Sequence, residues 1–279
     1  RQYSSFYSSV STYCRIKEDT MLRTENISYS IGKIQILKNV SALFRPGEFN
    51  MILGPNGSGK SSFLKIFSGE INKFDGSVFY DDKKIKEIKN EELAKKRAVM
   101  SQHADLSFPL LVEEVVMMGR YPHFTFNPNK KDITICNEVI DRMNLDEFKQ
   151  RNYLTLSGGE KQRVQYARVL AQIWEKPIDD YRYLFLDEPL NSLDISYQHE
   201  FLEAAVELIK DHTILIAVMH DINLAAHYAD NLFFLKEGEL VVHGKPKEIL
   251  TENIIEQVFK IKTTVIENPV TGKPLIIYN

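Results

Sequence analysis

The chain has only two cysteines in 279 residues, Cys14 and Cys136, far apart and without CxxC spacing. That scarcity argues against both a disulfide framework and a thiolate zinc site, and it fits a reducing compartment. Long apolar runs are missing as well. The best candidates are short strands such as Ile214 to Met219, against the roughly 20 residues that cross a bilayer. Basic excess is absent too: 35 Lys and Arg stand against 38 Asp and Glu, for a net charge of −3. Nucleic-acid binding draws on clustered Lys and Arg, so no nucleic-acid partner is expected. With 43% hydrophobic residues, 26% charged residues and no low-complexity tract, the composition is that of a soluble globular protein. Its length suits one α/β unit with a subdomain. Residues 1–20 are rich in Ser and Tyr and lack the basic start and apolar centre of a secretory signal. They read as a leader or flexible extension, with Met21 as the native start.

Against these absences one stretch stands out. Gly54-Pro55-Asn56-Gly57-Ser58-Gly59-Lys60-Ser61 satisfies every fixed position of GxxxxGK[ST], and Ser62 follows it. Phe49 to Leu53 reads as a short buried strand, and Ser62 to Phe67 as a helix that ends before Gly69. In that setting the glycines let backbone N–H groups wrap a phosphate, aided by the dipole of the following helix. Lys60 adds charge at the β- and γ-phosphates, and Ser61 offers a hydroxyl to Mg²⁺.

The remaining chain is organised around that loop. Residues 22 to about 80 read as a β-rich lobe, with turn signals at Gly32, Arg45-Pro46-Gly47 and Asp75-Gly76. From about 83 to 175 charged helical segments such as Glu91 to Lys96 and Thr134 to Met143 suggest an inserted helical subdomain. Apolar strands then return at Tyr183 to Leu186, Ile214 to Met219 and Leu232 to Leu235, alternating with helices. Such strands indicate a parallel sheet covered on both faces. Asn268 to Gly272 sits between β-prone runs and predicts a terminal hairpin.

Three further motifs carry chemistry. Tyr183 to Leu186 delivers Asp187 and Glu188 at a strand end, where an acid can hold Mg²⁺ and its neighbour can polarise water. Ser157 and Glu160 form an S-x-x-E capping box, so Ser157 starts a helix whose first turn holds Gly158 and Gly159, with apolar residues from Val164 to Trp174. Glycines there cost roughly 1–2 kcal/mol of helix stability, an expense that suits close approach to an anion. His220 and Gln102 each follow an apolar strand, at Met219 and Met100.

This ordered set resembles the nucleotide-binding subunits of ABC transporters from Leu22 to Leu250: GPNGSGKSS, Gln102, LSGGEKQR, YLFLDEP, Ser192-Leu193-Asp194 and His220. The resemblance implies an α/β P-loop NTPase fold, with a RecA-like parallel core, an antiparallel β subdomain and an inserted α-helical subdomain. It places the cassette at 21–250 and a C-terminal helix and hairpin extension at 251–279. It also implies a head-to-tail homodimer that sandwiches two ATP molecules. Gly54 to Ser62 would then cradle ATP in cis, and Ser157, Gly158, Gly159 and Glu160 would meet it in trans. Glu188 would be the general base, Lys60, Gln102 and His220 its catalytic companions, and Ser61, Gln102 and Asp187 the Mg²⁺ set. By family spacing the adenine-stacking position falls at Ile31, with Tyr29 two residues earlier, and Tyr29 reads equally as a core residue of its strand.

A cassette of this kind with separate membrane-spanning permease chains resembles bacterial importers, fed by a periplasmic or surface substrate-binding protein and working at the inner face of the cell membrane. The stretch His103 to His123 resembles the group handling iron chelates, cobalamin and haem. Asp194 to His199 and Asn268 to Gly272 are most similar to haemin importers. Alternatives are a siderophore, cobalamin or metal-ion importer, or a soluble ABC ATPase outside transport. His103, His123 and His199 read as structural or surface residues, since no ligand constellation surrounds them.

Overall fold

The computed structural model describes residues 22–101, 106–175, 181–191, 193–209 and 212–279. Its strands and helices are numbered here in chain order. Alternating buried and exposed residues make β1 (Leu22–Ile31) and β2 (Ile34–Phe44) an antiparallel pair, joined on the other side of β1 by β4 (Asp75–Tyr80) and then β5 (Lys83–Lys84). The turn expected at Asp75-Gly76 is instead the bulged start of β4. Asp75 pairs with Ser28 while Ser77 pairs with Glu25, and Gly76 adopts φ 99° where a Cβ would lie 2.4 Å from the Glu25 carbonyl oxygen. Glycine serves here for close strand approach rather than for chain reversal.

The uninterrupted apolar runs form the second sheet. β3 (Phe49–Leu53), β6 (Arg97–Met100), β7 (Arg182–Asp187), β8 (Thr213–Val218) and β9 (Asn231–Lys236) lie parallel, and β10 (Glu239–Gly244) closes one edge antiparallel, in the order β10-β9-β3-β8-β7-β6. Every residue of β3, β7 and β8 is buried because both faces are covered. Successive residues feed opposite cores. Tyr183 and Phe185 join α1 (Lys60–Phe67) and the antiparallel sheet, with Phe67 and Phe185 ring centroids 5.2 Å apart. Leu184 and Leu186 join the helices on the other side. The strand β6 belongs to this sheet although it falls inside the 83–175 span read as helical. The apolar run read as a strand ahead of Gln102 is this β6, directly following the helix α2 (Asn90–Lys96).

That other side holds α3 (Val112–Met118), α4 (Lys130–Arg142) and α5 (Gly158–Gln172), together with α6 (Ile195–Ile209) and α7 (Ile222–Tyr228). The helix α5 stops before Trp174, which packs beyond its end. Past β10 the chain makes α8 (Pro246–Ile249), α9 (Glu252–Phe259) and a hairpin of β11 (Thr263–Glu267) and β12 (Pro274–Tyr278).

A buried charge fastens the helices. Arg120 is 1% exposed, and its guanidinium donates to Asp132 at 3.0 Å, to the Ala171 carbonyl at 2.8 Å and to Glu175 at 2.6 Å. Asp132 also caps α4 by accepting from the Asn129 amide. Burial alone would raise the Glu175 carboxyl. The bonds from Lys131 and Arg120 outweigh it and hold that group at about 2. A depressed folded-state value contributes stability above the unfolded value near 4.5, and that contribution is lost as pH falls toward about 2. Asp132→Ala leaves Arg120 short of a countercharge, and a destabilisation of about 3 kcal/mol is expected. It is read as a lower urea midpoint at neutral pH, with wild-type stability also declining below the Glu175 unfolded value.

Candidate functional site

Three strands end at one level. Ile52 of β3 is registered with Val218 of β8, and Val218 with Asp187 of β7. Gly54, Glu188 and His220 therefore leave the sheet side by side at its carboxyl edge, where open α/β folds hold ligands. A cavity of about 630 Å³ lies there, lined by Asn56 through Ser62, by Glu188, Asn191 and His220, and by Ile36 of β2. The residues expected around a phosphate and those expected to carry catalysis thus share one space.

The loop from Gly54 to Gly59 turns β3 into α1. Gly54 sits at φ 153°, where a Cβ would come 1.9 Å from the Leu235 carbonyl oxygen, so any side chain collides with β9. Lys60, 5% exposed, folds back so that its ammonium donates to the Gly54 carbonyl at 2.9 Å and the Pro55 carbonyl at 3.1 Å. Burial lowers its pKa, opposed by the carboxylates of Glu188 and Asp187. An ammonium carries three N–H donors, so the two carbonyls leave one for the cavity. Ser58 Oγ is buried and has no hydrogen-bond partner among the described residues. An orphaned hydroxyl in a cradle of backbone amides is the environment a phosphate oxygen completes.

Strand parity sends the two acids to different places. Asp187 follows Tyr183 and Phe185 on the face toward α1, and there Ser61 Oγ donates to its Oδ1 at 2.9 Å. Asp187 is 2% exposed, and burial raises its pKa against the lowering effect of Ser61. Glu188 leaves the strand with φ 52°, an unusual conformation for a residue with a side chain, and so enters the cavity. Its Oε1 lies 2.5 Å from His220 Nε2, and its Oε2 accepts from Asn191 Nδ2 at 2.9 Å. Burial would raise the Glu188 carboxyl, but the bonds from Asn191 and His220 prevail and hold it below the usual carboxylate range.

The other expected residues lie elsewhere. Ser157 caps α5, accepting from the Glu160 amide at 3.3 Å while Glu160 Oε2 accepts from the Ser157 amide at 2.7 Å. Ser157 and Gly158 are exposed, and none of Ser157, Gly158, Gly159 and Glu160 borders the cavity of its own chain. Gln102, His103 and Ser192 fall outside the described residues. Neither Tyr29 nor Ile31 lines the cavity. Tyr29 packs partly buried against the core shared with α1, and Ile31 is exposed. His123 bonds the Gln172 carbonyl at 2.7 Å, and His199 bonds the Tyr228 hydroxyl at 2.6 Å. Two cavity residues escaped the sequence reading. Ile36 carries no chemical signal, whereas Asn191, three places beyond Glu188 in a strand-exit turn, could have been found as its partner.

Residues 37–191 match the family model described as ABC transporter. The hemin import ATP-binding protein HmuV of Gloeobacter violaceus is 44% identical over 92% of this chain and 94% of that protein. Its namesake from Pseudomonas aeruginosa is 37% identical over 92% and 99%. Among solved structures, a metal-chelate type ABC transporter in an inward-facing conformation shares the fold, with a TM-score of 0.77 at 21% identity over 94% of this chain and 97% of that one. A dimeric bacterial ABC transporter cassette gives a TM-score of 0.68 at 29% identity over 80% and 98%. The cradle at the carboxyl edge and these relatives lead to one conclusion: the chain belongs to the ABC transporter family, as one of its ATP-binding, ATP-hydrolysing cassettes.

Proposed function

We propose that this ATPase powers uptake of haemin through a separate permease at the cytoplasmic face of the cell membrane. The observation that carries the reading is full-length likeness: relatives named hemin import ATP-binding protein are 36% to 44% identical over 92% of this chain. No helix among the described residues is long and apolar enough to cross a membrane, so the path for the cargo belongs to the permease. A periplasmic or surface binding protein would hand haemin to that permease without touching this chain. The cassette spans 21–250, with its helical subdomain following β6 and an appended extension at 251–279.

Two copies work head to tail. The exposed Ser157-Gly158 turn at the start of α5 presents the positive end of a helix dipole, yet it stands apart from its own cavity. A partner reversed against the first chain completes each site, and the dimeric cassette among the relatives supports this arrangement. Lys60 balances phosphate charge. Glu188, braced by Asn191 and His220, orients the attacking water and accepts its proton as general base. His220 senses the γ-phosphate. The hydroxyl of Ser61 and the buried carboxylate of Asp187 are hard oxygen donors 2.9 Å apart that fit Mg²⁺, with Gln102 as a further ligand. When bound, Mg²⁺ supplies charge neutralisation between the β- and γ-phosphates.

The motion reaches the permease through the segment from Gln102 to His123. Beside it, between α3 and α4, a groove of about 630 Å³ is lined by Leu110, Met117, Met118, Tyr121, Phe126 and Ile133 among others. Phe126 is 90% exposed, and an apolar, Met-bearing groove of this size suits an inserted helix.

Reconstitution tests the whole reading: haemin, delivered with its binding protein to vesicles holding chain and permease, should accelerate ATP turnover, and a ferric siderophore should not. Lys60→Ala should abolish nucleotide binding in a fluorescent-ATP titration. Glu188→Gln should lower kcat by about 100-fold or more while retaining ATP and trapping a dimer on size exclusion. Wild-type turnover in that variant would refute its role. Phe126→Asp should lose permease in co-purification and keep the isolated chain's ATP affinity.

A further inference from the structure

The hairpin at the C-terminal end has no part in the chemistry described above. Its strands register from Thr263 with Tyr278 to Glu267 with Pro274. The turn is closed by Asn268, whose side chain accepts from the amides of Val270 and Thr271, and whose own amide donates to the Lys273 carbonyl. A lone two-stranded hairpin is marginal in water, so it needs a surface to lie on.

That surface is α7. Asn223 Nδ2 donates to the Ile276 carbonyl at 3.0 Å, and the Ile276 amide donates back to Asn223 Oδ1 at 2.8 Å. One side chain therefore satisfies both backbone groups of a residue in β12. Ile276 is buried in the same core as Ile222, Ala225 and Ala226 of α7. At the helix's far end Lys273 donates to the His227 carbonyl. At its near end the Tyr278 hydroxyl is pushed up first by burial and then by the carboxylate of Asp221, the residue that caps α7 by accepting from Leu224. The hairpin thus grips α7 near its start through Asn223 and at its far end through Lys273.

The helix it grips begins two residues after His220. Seven residues form a helix too short to hold itself in water, so tertiary contacts decide where α7 sits. The His220 side chain is 43% exposed, so no packed wall holds the imidazole. Its place against Glu188 follows from the backbone between Val218 and Ile222, anchored on one side by the bond from the Met219 amide to the Ile52 carbonyl and on the other by α7.

We propose that the C-terminal hairpin positions the catalytic histidine: Asn223, by clasping Ile276, holds α7 where His220 meets Glu188. Asn223 touches neither the cavity nor Glu188 and acts through His220. The inference rests on the reading of His220 as a participant in hydrolysis.

A mutant cycle on the full chain tests it. Asn223→Ala should lower kcat about tenfold, the scale of a small misplacement of a reacting group, with KM for ATP changed less than about twofold because the phosphate loop is untouched. Asn223→Asp, which keeps the acceptor for the Ile276 amide, should recover part of the loss. Lys273→Ala releases the other end of α7 and should lower kcat in the same direction, so the idea does not hang on one variant's folding. In a His220→Ala background, whose residual turnover is the baseline, Asn223→Ala should cause no further fall. Wild-type kcat in both hairpin-contact variants overturns the inference, as does a loss that multiplies fully on the His220→Ala background, which marks general destabilisation. Wild-type turnover in His220→Ala itself overturns the assignment of His220, a different failure from a silent hairpin.

Discussion

The shared level at which β3, β7 and β8 end is the constraint that the site depends on. Nothing in the phosphate loop, the acid pair or His220 would meet if one of these strands slipped against its neighbour. Two backbone bonds carry the pairing past the last rung: the Glu188 amide donates to the Val218 carbonyl at 3.1 Å, and the Met219 amide to the Ile52 carbonyl at 3.0 Å. The catalytic loops therefore start from rigid sheet. What holds the strands in place is burial on both faces, each large apolar side chain contributing about 1.5–3 kcal/mol. The distances at the site are in that sense set by Phe185, Ile216 and Met51 as much as by the polar groups themselves.

Within that frame the protein's own bonds fix the charged groups. Lys60 is held by two carbonyls, Asp187 by Ser61, and Glu188 by Asn191 and His220. Such preorganisation avoids rearranging dipoles during the reaction, which is where most electrostatic catalysis originates. The helical region meets a different need. Its buried Arg120 joins the end of α3, the start of α4 and the end of α5, fastening the three helices to one another.

Much of this was legible in the chain, for identifiable reasons. The phosphate loop is local, because glycine, lysine and serine act within one turn. Continuous apolar strands announce a two-sided sheet, and the Ser157–Glu160 box predicts a helix start that the hydrogen bonds bear out. What stayed hidden was nonlocal. Ile36 borders the cavity only because β2 crosses above the loop, and no property of isoleucine foretells that. Asp75-Gly76 has turn composition, but the chain uses its glycine to pass close to Glu25. β6 was legible as an apolar strand before Gln102, but not its place in the central sheet, which pairing with β7 decides. For Tyr29 the sequence offered both a stacking and a core reading, and its ring packs against the core.

The left-handed kink at Glu188 gives a last consequence. Asp187 faces α1 because it obeys the two-residue beat of β7, and Glu188 faces the cavity because the chain breaks that beat immediately afterwards. The two acids owe their division of labour to counting, not to chemistry, since each is a carboxylate on a short arm. Inserting or deleting a single residue in β7 would exchange their neighbourhoods while leaving composition and hydrophobicity almost unaltered. An exchange of one apolar residue of β7 for another therefore leaves the acids where they are, and a change in its length does not.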